Sequence, residues 1–269
     1  MKLLVVTPTM GQSAFMHETL EGLDALRGAV RHVIVAPADA RQRMAKLAPK
    51  AEFILQDATG VYAALNRGVA VGGEWDAFTW INDDDRICPA GLQQAWEALQ
   101  QRPTKAVAYG KVDYIDARGD SLGPLPVESQ TTRLASLFSA ELPAFTQQGT
   151  IIRRDWVERL NGFDTRYRLA ADFDFWARAL AGGAEFFFVA TKVAEYRLWR
   201  GQLSRDLATV EREIAQSADV VFPTRSVDAL SGIRRSFRIR HFPDMLRRYL
   251  HTGCWRTTEL YRRAETTLR

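Results

Sequence analysis

The stretch Ala77-Phe78-Thr79-Trp80-Ile81-Asn82-Asp83-Asp84-Asp85 decides the fold of this chain. Apolar and β-prone residues run straight into three consecutive carboxylates, so a buried strand ends in concentrated negative charge, and Pro89 then opens a helix. Carboxylates a few ångströms apart disfavour one another's ionisation unless positive charge lies between them. A divalent cation on oxygen ligands supplies that charge, whereas a solvated acidic turn has no need of it. Both readings stand on these residues alone.

Outward from this stretch, strand-like and helix-like segments alternate through the first hundred residues at the spacing of a mostly parallel α/β sheet. Strands are expected at 2–7, 31–36, 52–55 and 78–81, with helices at 14–26, 41–47, 61–71 and 91–100. The runs Leu3-Leu4-Val5-Val6 and Val33-Ile34-Val35 are continuously apolar, as in strands covered on both faces. Ligands of such sheets bind beyond the carboxyl ends of the strands, where Thr7-Pro8-Thr9 and the acidic triplet fall. After Arg102-Pro103 the pattern changes: strands are expected at 107–109, 112–115, 150–153 and 185–189, helices at 155–160 and 172–181, and a mobile loop at 123–130. Helices follow at 205–218 and over much of 232–265, broken at Pro223 and Pro243. This divides the chain into a domain at 1–204, with halves at 1–110 and 111–204, and a helical region at 205–269.

At 269 residues and 46% hydrophobic composition, a sizeable core is available and disorder is excluded. No stretch reaches the roughly 18 apolar residues of a membrane span, and the apolar start is too short for a signal peptide, so a cytoplasmic protein is expected. Cys88 and Cys254 lack metal or disulfide spacing and read as packing residues. From Arg205 onward there are 13 arginines, no lysine and 8 acids, so the basic character of a chain with net charge +4 belongs to its tail. There, arginines interleave with bulky apolar residues over 232–262. Peripheral contact with an anionic membrane at its inner face fits this pattern, as does simple packing on the first domain, and no nucleic-acid partner is expected.

Four segments, in order, carry a resemblance: Thr7-Pro8-Thr9; Asp57 to Gly68 with Gly60, Tyr62 and Asn66; Asn82-Asp83-Asp84-Asp85; and Gly162-Phe163-Asp164 leading to Ala171-Asp172-Phe173-Asp174. Together they resemble the inverting family 2 glycosyltransferases of GT-A fold over about residues 1 to 205. The resemblance implies an α/β fold with a mostly parallel central sheet, a nucleoside diphosphate sugar donor, Mn²⁺ or Mg²⁺, and a glycan or lipid-linked acceptor of surface polysaccharide or glycoconjugate biosynthesis. Donor residues are then expected at Thr7, Pro8, Thr9, Asp57, Tyr62, Asn66, Arg67, Asp83, Asp84 and Arg200. Metal ligands are expected at Asp85 and Asp83, because Asp85 is the ligand in either register of the motif.

Asp172 is the expected catalytic base. A carboxylate in the first turn of a helix among apolar neighbours can be tuned by burial, although helix capping accounts for an aspartate there as well. Asp174, four residues before Arg178, is placed for an ion pair along the helix. Gln147-Gln148-Gly149-Thr150 resembles the family's stretch near the acceptor, with glutamine where histidine is frequent. After the second strand stands Ala36-Pro37-Ala38-Asp39 in place of the family's usual aspartate. A nucleotidyltransferase would need a Gly-rich, Arg-containing loop after the first strand, which is missing. A non-catalytic nucleotide-sugar-binding or scaffold protein is the remaining alternative.

Overall fold

The structure, a computed structural model, describes residues 1–26, 30–57, 59–70, 73–225, 227–256 and 259–261. In chain order the first half holds β1 (Leu3–Pro8), α1 (Met16–Asp24), β2 (Val30–Ala36), α2 (Arg41–Leu47), β3 (Glu52–Leu55), α3 (Val61–Val69), β4 (Ala77–Trp80), β5 (Arg86–Ile87) and α4 (Pro89–Gln100). The second holds β6 (Val107–Ile115), β7 (Ser121–Pro124), α5 (Leu134–Ser139), β8 (Ile151–Arg153), α6 (Arg154–Arg159), α7 (Ala171–Ala181), β9 (Phe186–Arg197), α8 (Leu207–Val221), α9 (Val227–Arg240) and α10 (Phe242–Thr252).

These strands form one mixed sheet in the order β3-β2-β1-β4-β8-β6-β9-β5, with β7 paired to β6. β1 runs parallel to β2 and β4, β2 to β3, and β6 to β9; β8 is antiparallel between β4 and β6. Strand β1 is buried along its whole length because both faces are covered. Leu4 and Val6 enter the cluster with Leu65, Trp80 and Trp176, while Leu3 and Val5 enter the cluster with Leu92 and Trp96. Alternation along a strand thus feeds two cores at once. On one face α4 crosses β9 so closely that a Cβ on Gly91 would overlap the Lys192 carbonyl oxygen.

Several expectations shift. The segments at 107–109 and 112–115 are one strand, β6, whose register against β9 slips between Gly110 and Val112. Strand β9 does not stop at Val189 but continues to Arg197, because the same irregularity lets its polar Thr191-Lys192 segment pass while the pairing resumes at Val112↔Ala194. The loop at 123–130 is tied down: Leu125 N–H donates to the Val112 carbonyl (2.9 Å), Tyr109 O–H to the Glu128 carbonyl (2.6 Å), and the Glu128 side chain is fully buried. In the tail the break falls at His241, with Pro243 in the first turn of α10, and the helix ends at Thr252 before Gly253 at φ 70°. The remainder of the expected helix, at 262–265, lies outside the described residues. Among those described, no helix is long and apolar enough to cross a membrane.

Candidate active site

The acidic triplet turns off β4 at the carboxyl edge of the parallel strands, beside the end of β1. Each aspartate meets a different neighbour. Asp83, half-buried, accepts a bond from the Thr9 hydroxyl, and its carbonyl accepts one from Ser13 Oγ at 2.7 Å. Asp84 is 9% exposed; its Oδ2 accepts the Trp199 indole N–H at 2.8 Å. Asp85 has no exposure. Its Oδ1 accepts the Arg197 backbone N–H (2.9 Å) and its Oδ2 the Gln148 side-chain amide (2.8 Å), while its carbonyl accepts from Thr19 Oγ1 (2.7 Å).

Burial drives the electrostatics of all three. It pushes the Asp83 carboxyl up to about 6 against the pull of the Thr9 bond, with the neighbouring Asp84 charge adding to the rise. The Asp84 carboxyl is raised by burial and lowered in part by Trp199. Asp85 is raised well above its ordinary value by burial and by Asp84. The cation within reach is Arg197, fully buried, but its guanidinium serves other groups: Nε donates to the Asp84 carbonyl (2.7 Å), one Nη to the Asp116 carbonyl (3.0 Å) and the other to Glu18 (2.6 Å).

These carboxylates are therefore short of positive charge, and the buried Asn82 Oδ1 beside them has no hydrogen-bond partner. A hard divalent cation fits such an all-oxygen donor set. No group of three or more His, Cys, Asp or Glu side chains among the described residues forms a ready-made metal cage.

Asp172 lies in the first turn of α7. Its Oδ1 accepts the Phe173 N–H (2.9 Å) and lies 3.0 Å from the Tyr62 hydroxyl, which is also 3.0 Å from the Leu169 carbonyl. Having one proton, Tyr62 donates to one of these acceptors at a time. Oδ2 carries no hydrogen bond from a described residue. Burial pushes the Asp172 carboxyl up, the Phe173 and Tyr62 bonds draw it down, and the charge of Glu213 raises it.

Asp172 Oδ1 satisfies one first-turn N–H of α7, that of Phe173, while the N–H groups ahead of the helix are taken by another residue. Glu213, reaching from α8, accepts the backbone N–H of Arg168 (3.0 Å), Leu169 (2.7 Å) and Ala170 (3.0 Å). Asp174 is structural as expected: it pairs with Arg178 at 2.6 Å and accepts Ser217 Oγ at 3.0 Å.

An aromatic bridge joins the two clusters. Trp80, at the end of β4, stacks on Trp176 of α7 with centroids 5.9 Å apart and meets Phe163 edge-on at 5.0 Å; Phe163 in turn contacts Tyr62 at 5.7 Å. The strand that ends in the triplet is thus packed directly on the helix that carries Asp172.

The other expected donor residues sort by their contacts. Thr9 is at the triplet. Thr7 is fully buried inside the sheet, with its hydroxyl 3.0 Å from His32 Nε2, so its side chain does not face the mouth; Pro8 is the buried last residue of β1. Asn66 is spent on architecture: its Nδ2 donates to the Phe163 carbonyl and its Oδ1 accepts the Phe163 N–H, both at 2.8 Å. Gly162, at φ 69°, has no room for a Cβ against that amide. Tyr62 contacts Asp172. Asp57 and Arg67 are exposed and 4.0 Å apart, and Arg200 is exposed beyond Trp199.

Sequence reasoning missed Arg197, Trp199, Ser13 and Glu18. A signal existed for the first two. An arginine and a tryptophan alternate at the end of a strand just ahead of the Arg200 segment.

The fold defines a class, a mixed, largely parallel α/β sheet flanked by helices, which is shared with solved glycosyltransferase structures. The sequence matches no known family profile and no curated protein. Among solved structures, S. aureus TarS 1-349 in complex with UDP-GlcNAc superposes with a TM-score of 0.63 at 17% identity, covering 98% of this chain and 79% of that one. The longer TarS chain gives 0.62 at 18% identity, covering 90% of this chain but only 44% of that one, so this chain spans less than half its length. The mannosyltransferase PcManGT from Pyrobaculum calidifontis, in complex with GDP-Man and Mn²⁺, gives 0.56 at 15% identity, with 99% and 86% covered.

Proposed function

We propose that this chain is a metal-dependent inverting glycosyltransferase that moves a sugar from a nucleoside diphosphate sugar to a hydroxyl of a glycan or lipid-linked acceptor in surface polysaccharide or glycoconjugate biosynthesis. One observation carries the reading. A buried acidic triplet and a separately held, partly free carboxylate stand at the same edge of one sheet, joined by the Trp80–Trp176 stack. The neighbours support it, since they include a mannosyltransferase and a protein bound to UDP-GlcNAc.

Asp172 Oδ2 takes the acceptor proton, while Tyr62 and the Phe173 N–H hold Oδ1 and so fix the direction of the free oxygen. The acceptor oxygen then attacks the anomeric carbon from the Asp172 side, and the diphosphate leaves toward the triplet. A bound Mn²⁺ or Mg²⁺ supplies charge neutralisation for that leaving group. Asp83 and Asp84 are the side chains that would hold it. Asp85, whose two oxygens already accept Gln148 and Arg197, acts as the anchor behind them in place of the ligand role expected from sequence.

Asp172→Asn tests the assignment. Transfer is expected to fall by at least about 10³-fold, a loss typical of removing a general base, while the metal-dependent thermal shift with the donor persists. Near-normal turnover in the variant would refute it. A panel of nucleoside diphosphate sugars with and without Mn²⁺ identifies the donor.

One observation favours a second reading, donor binding without transfer: after β2 the nucleotide side offers only Asp39, exposed and without a described side-chain bond. Tight donor binding with neither transfer nor hydrolysis would select it.

A further inference from the structure

The C-terminal helices present a face that the catalytic reading does not use. On α9, Ser231, Arg235 and Arg238 follow one another at four and three residues as one helical stripe with Ile239 beside it, and Phe242 opens α10 just past the break at His241. The apolar members are open to solvent: Leu250 is 75% exposed, Ile239 65% and Phe242 51%. Trp255 is half-buried between two further rings, stacked on Tyr249 at 4.4 Å and on Phe242 at 6.0 Å. The result is a rigid aromatic platform at the surface. Its rings have amphipathic edges, the chemistry enriched where one side of a residue is apolar and the other wet.

Arginines rim the platform. Arg235 and Arg238 are exposed, and Arg247 is 3.8 Å from Asp244 while 75% of its side chain remains exposed. Arg235 and Arg238 also line a cavity of about 580 Å³ with Arg225, Arg234 and Glu141. Glu141 is matched by Arg225 (2.8 Å) and Arg234 (2.6 Å), and Arg225 also pairs with Asp219 (2.5 Å), so guanidinium groups outnumber the acid that lines this cavity. Guanidinium groups bind phosphate oxygens in pairs. Exposed aliphatic and aromatic side chains beside guanidinium groups match an anionic bilayer surface: headgroup phosphates for the arginines, the acyl boundary for Ile239, Phe242 and Leu250.

We infer that the α9–α10 face is a membrane-docking surface that seats on anionic phospholipid. The platform is fixed to the body of the protein near the site. In α10, Arg248 is buried with its backbone against Gly123 of β7, and His251 lies 2.7 Å from the Ser121 carbonyl. β7 pairs with β6, whose following residue Asp116 takes the Arg197 guanidinium through its carbonyl. Docking therefore fixes how the sheet that carries the acidic triplet is oriented over the lipid. The docking itself does not depend on the catalytic reading.

The test is flotation of the full chain with phosphatidylcholine vesicles and with vesicles containing about one third phosphatidylglycerol. Binding is expected only to the anionic vesicles, and it should weaken in 0.5 M salt, because surface charge is then screened. Each arginine near a charged surface is worth about fivefold in partition, so Arg238→Glu with Arg247→Glu should lower it by roughly 25-fold or more. Leu250→Ser with Ile239→Ser should weaken binding without changing its salt dependence. All of these side chains are exposed, so unfolding transitions and donor thermal shifts should match the parent, which separates failure of docking from failure of the active-site reading. Equal recovery on neutral vesicles, or full binding by the charge-reversed variant, overturns the inference. So does a stable dimer in light scattering that dissociates in the Leu250→Ser/Ile239→Ser variant, because the face would then be a subunit interface.

Discussion

Glu213 should control the helix that carries Asp172 although it lies in the basic tail. Its carboxylate is 6% exposed and accepts three backbone N–H groups at 2.7 to 3.0 Å from consecutive residues, Arg168, Leu169 and Ala170. Bonds to a charged acceptor contribute about 1.5 to 3 kcal/mol each, so their simple sum is about 4 to 9 kcal/mol. Removing the carboxylate also removes the cost of burying it and lets water into the gap, which brings the expected loss for Glu213→Ala to about 3 to 5 kcal/mol. Glu213→Gln keeps one acceptor oxygen and should cost about 2 kcal/mol. Urea unfolding measures both through the midpoint at constant slope. The Gln variant has a second consequence. The Glu213 charge raises the Asp172 carboxyl, so removing it should move the acid limb of the transfer pH profile to lower pH. A loss below about 1 kcal/mol in the Ala variant would show that the three N–H groups are satisfied without Glu213, and the capping argument fails.

Asp83→Asn keeps an oxygen for the Thr9 hydroxyl but removes a carboxylate held up at about 6. With metal absent at pH 7.5 it should stabilise the fold by about 1 to 3 kcal/mol while abolishing the metal-dependent donor shift, both read by thermal unfolding. Gly91→Ala sets a Cβ into the Lys192 carbonyl and should cost at least about 3 kcal/mol, or prevent folding, judged by soluble yield and melting temperature. Burial lowers His32 to about 4 from an ordinary 6.5. The unfolded chain then binds the extra proton across that window, so stability should fall as pH drops from 7 to 5, by at most about 2 kcal/mol, and His32→Gln should flatten that part of the urea midpoint profile.

Much of the sheet was legible because its strands are continuous apolar runs whose burial on both faces leaves no other reading, as in β1 and β2. β9 was legible only to Val189. Its continuation carries Thr191, Lys192 and Glu195, polar residues that belong to a strand only because β6 slips in register beside them. The same limit governs the site. Residue type draws attention to the triplet, but only its place at the end of a buried parallel strand separates a cation site from a solvated acidic turn. The roles of Tyr62 and Asn66 depend on partners 110 and 97 residues away, and the four-residue spacing that puts both on one face of α3 says nothing of what that face meets.

The triplet itself shows why a motif does not assign labour among its own members. Asp85 is the expected ligand both in the literal D-x-D spacing and in the register that the family resemblance implies, and Asp83 and Asp84 compete for the second role. Burial and hydrogen bonding distinguish the three, and on that difference the proposed metal role is given to Asp83 and Asp84. Asp85 is engaged through both oxygens by Gln148 and by the backbone of Arg197, whereas among the described residues the carboxylate of Asp84 accepts the indole of Trp199 and that of Asp83 the hydroxyl of Thr9. The two residues that immobilise Asp85 come from the stretch before β8 and from the end of β9, 63 and 112 residues away. Arg197 stands there only because β9 runs past Val189. The strand boundary missed at Val189 and the Arg197 bond that holds Asp85 thus have the same origin, the register slip at Gly110.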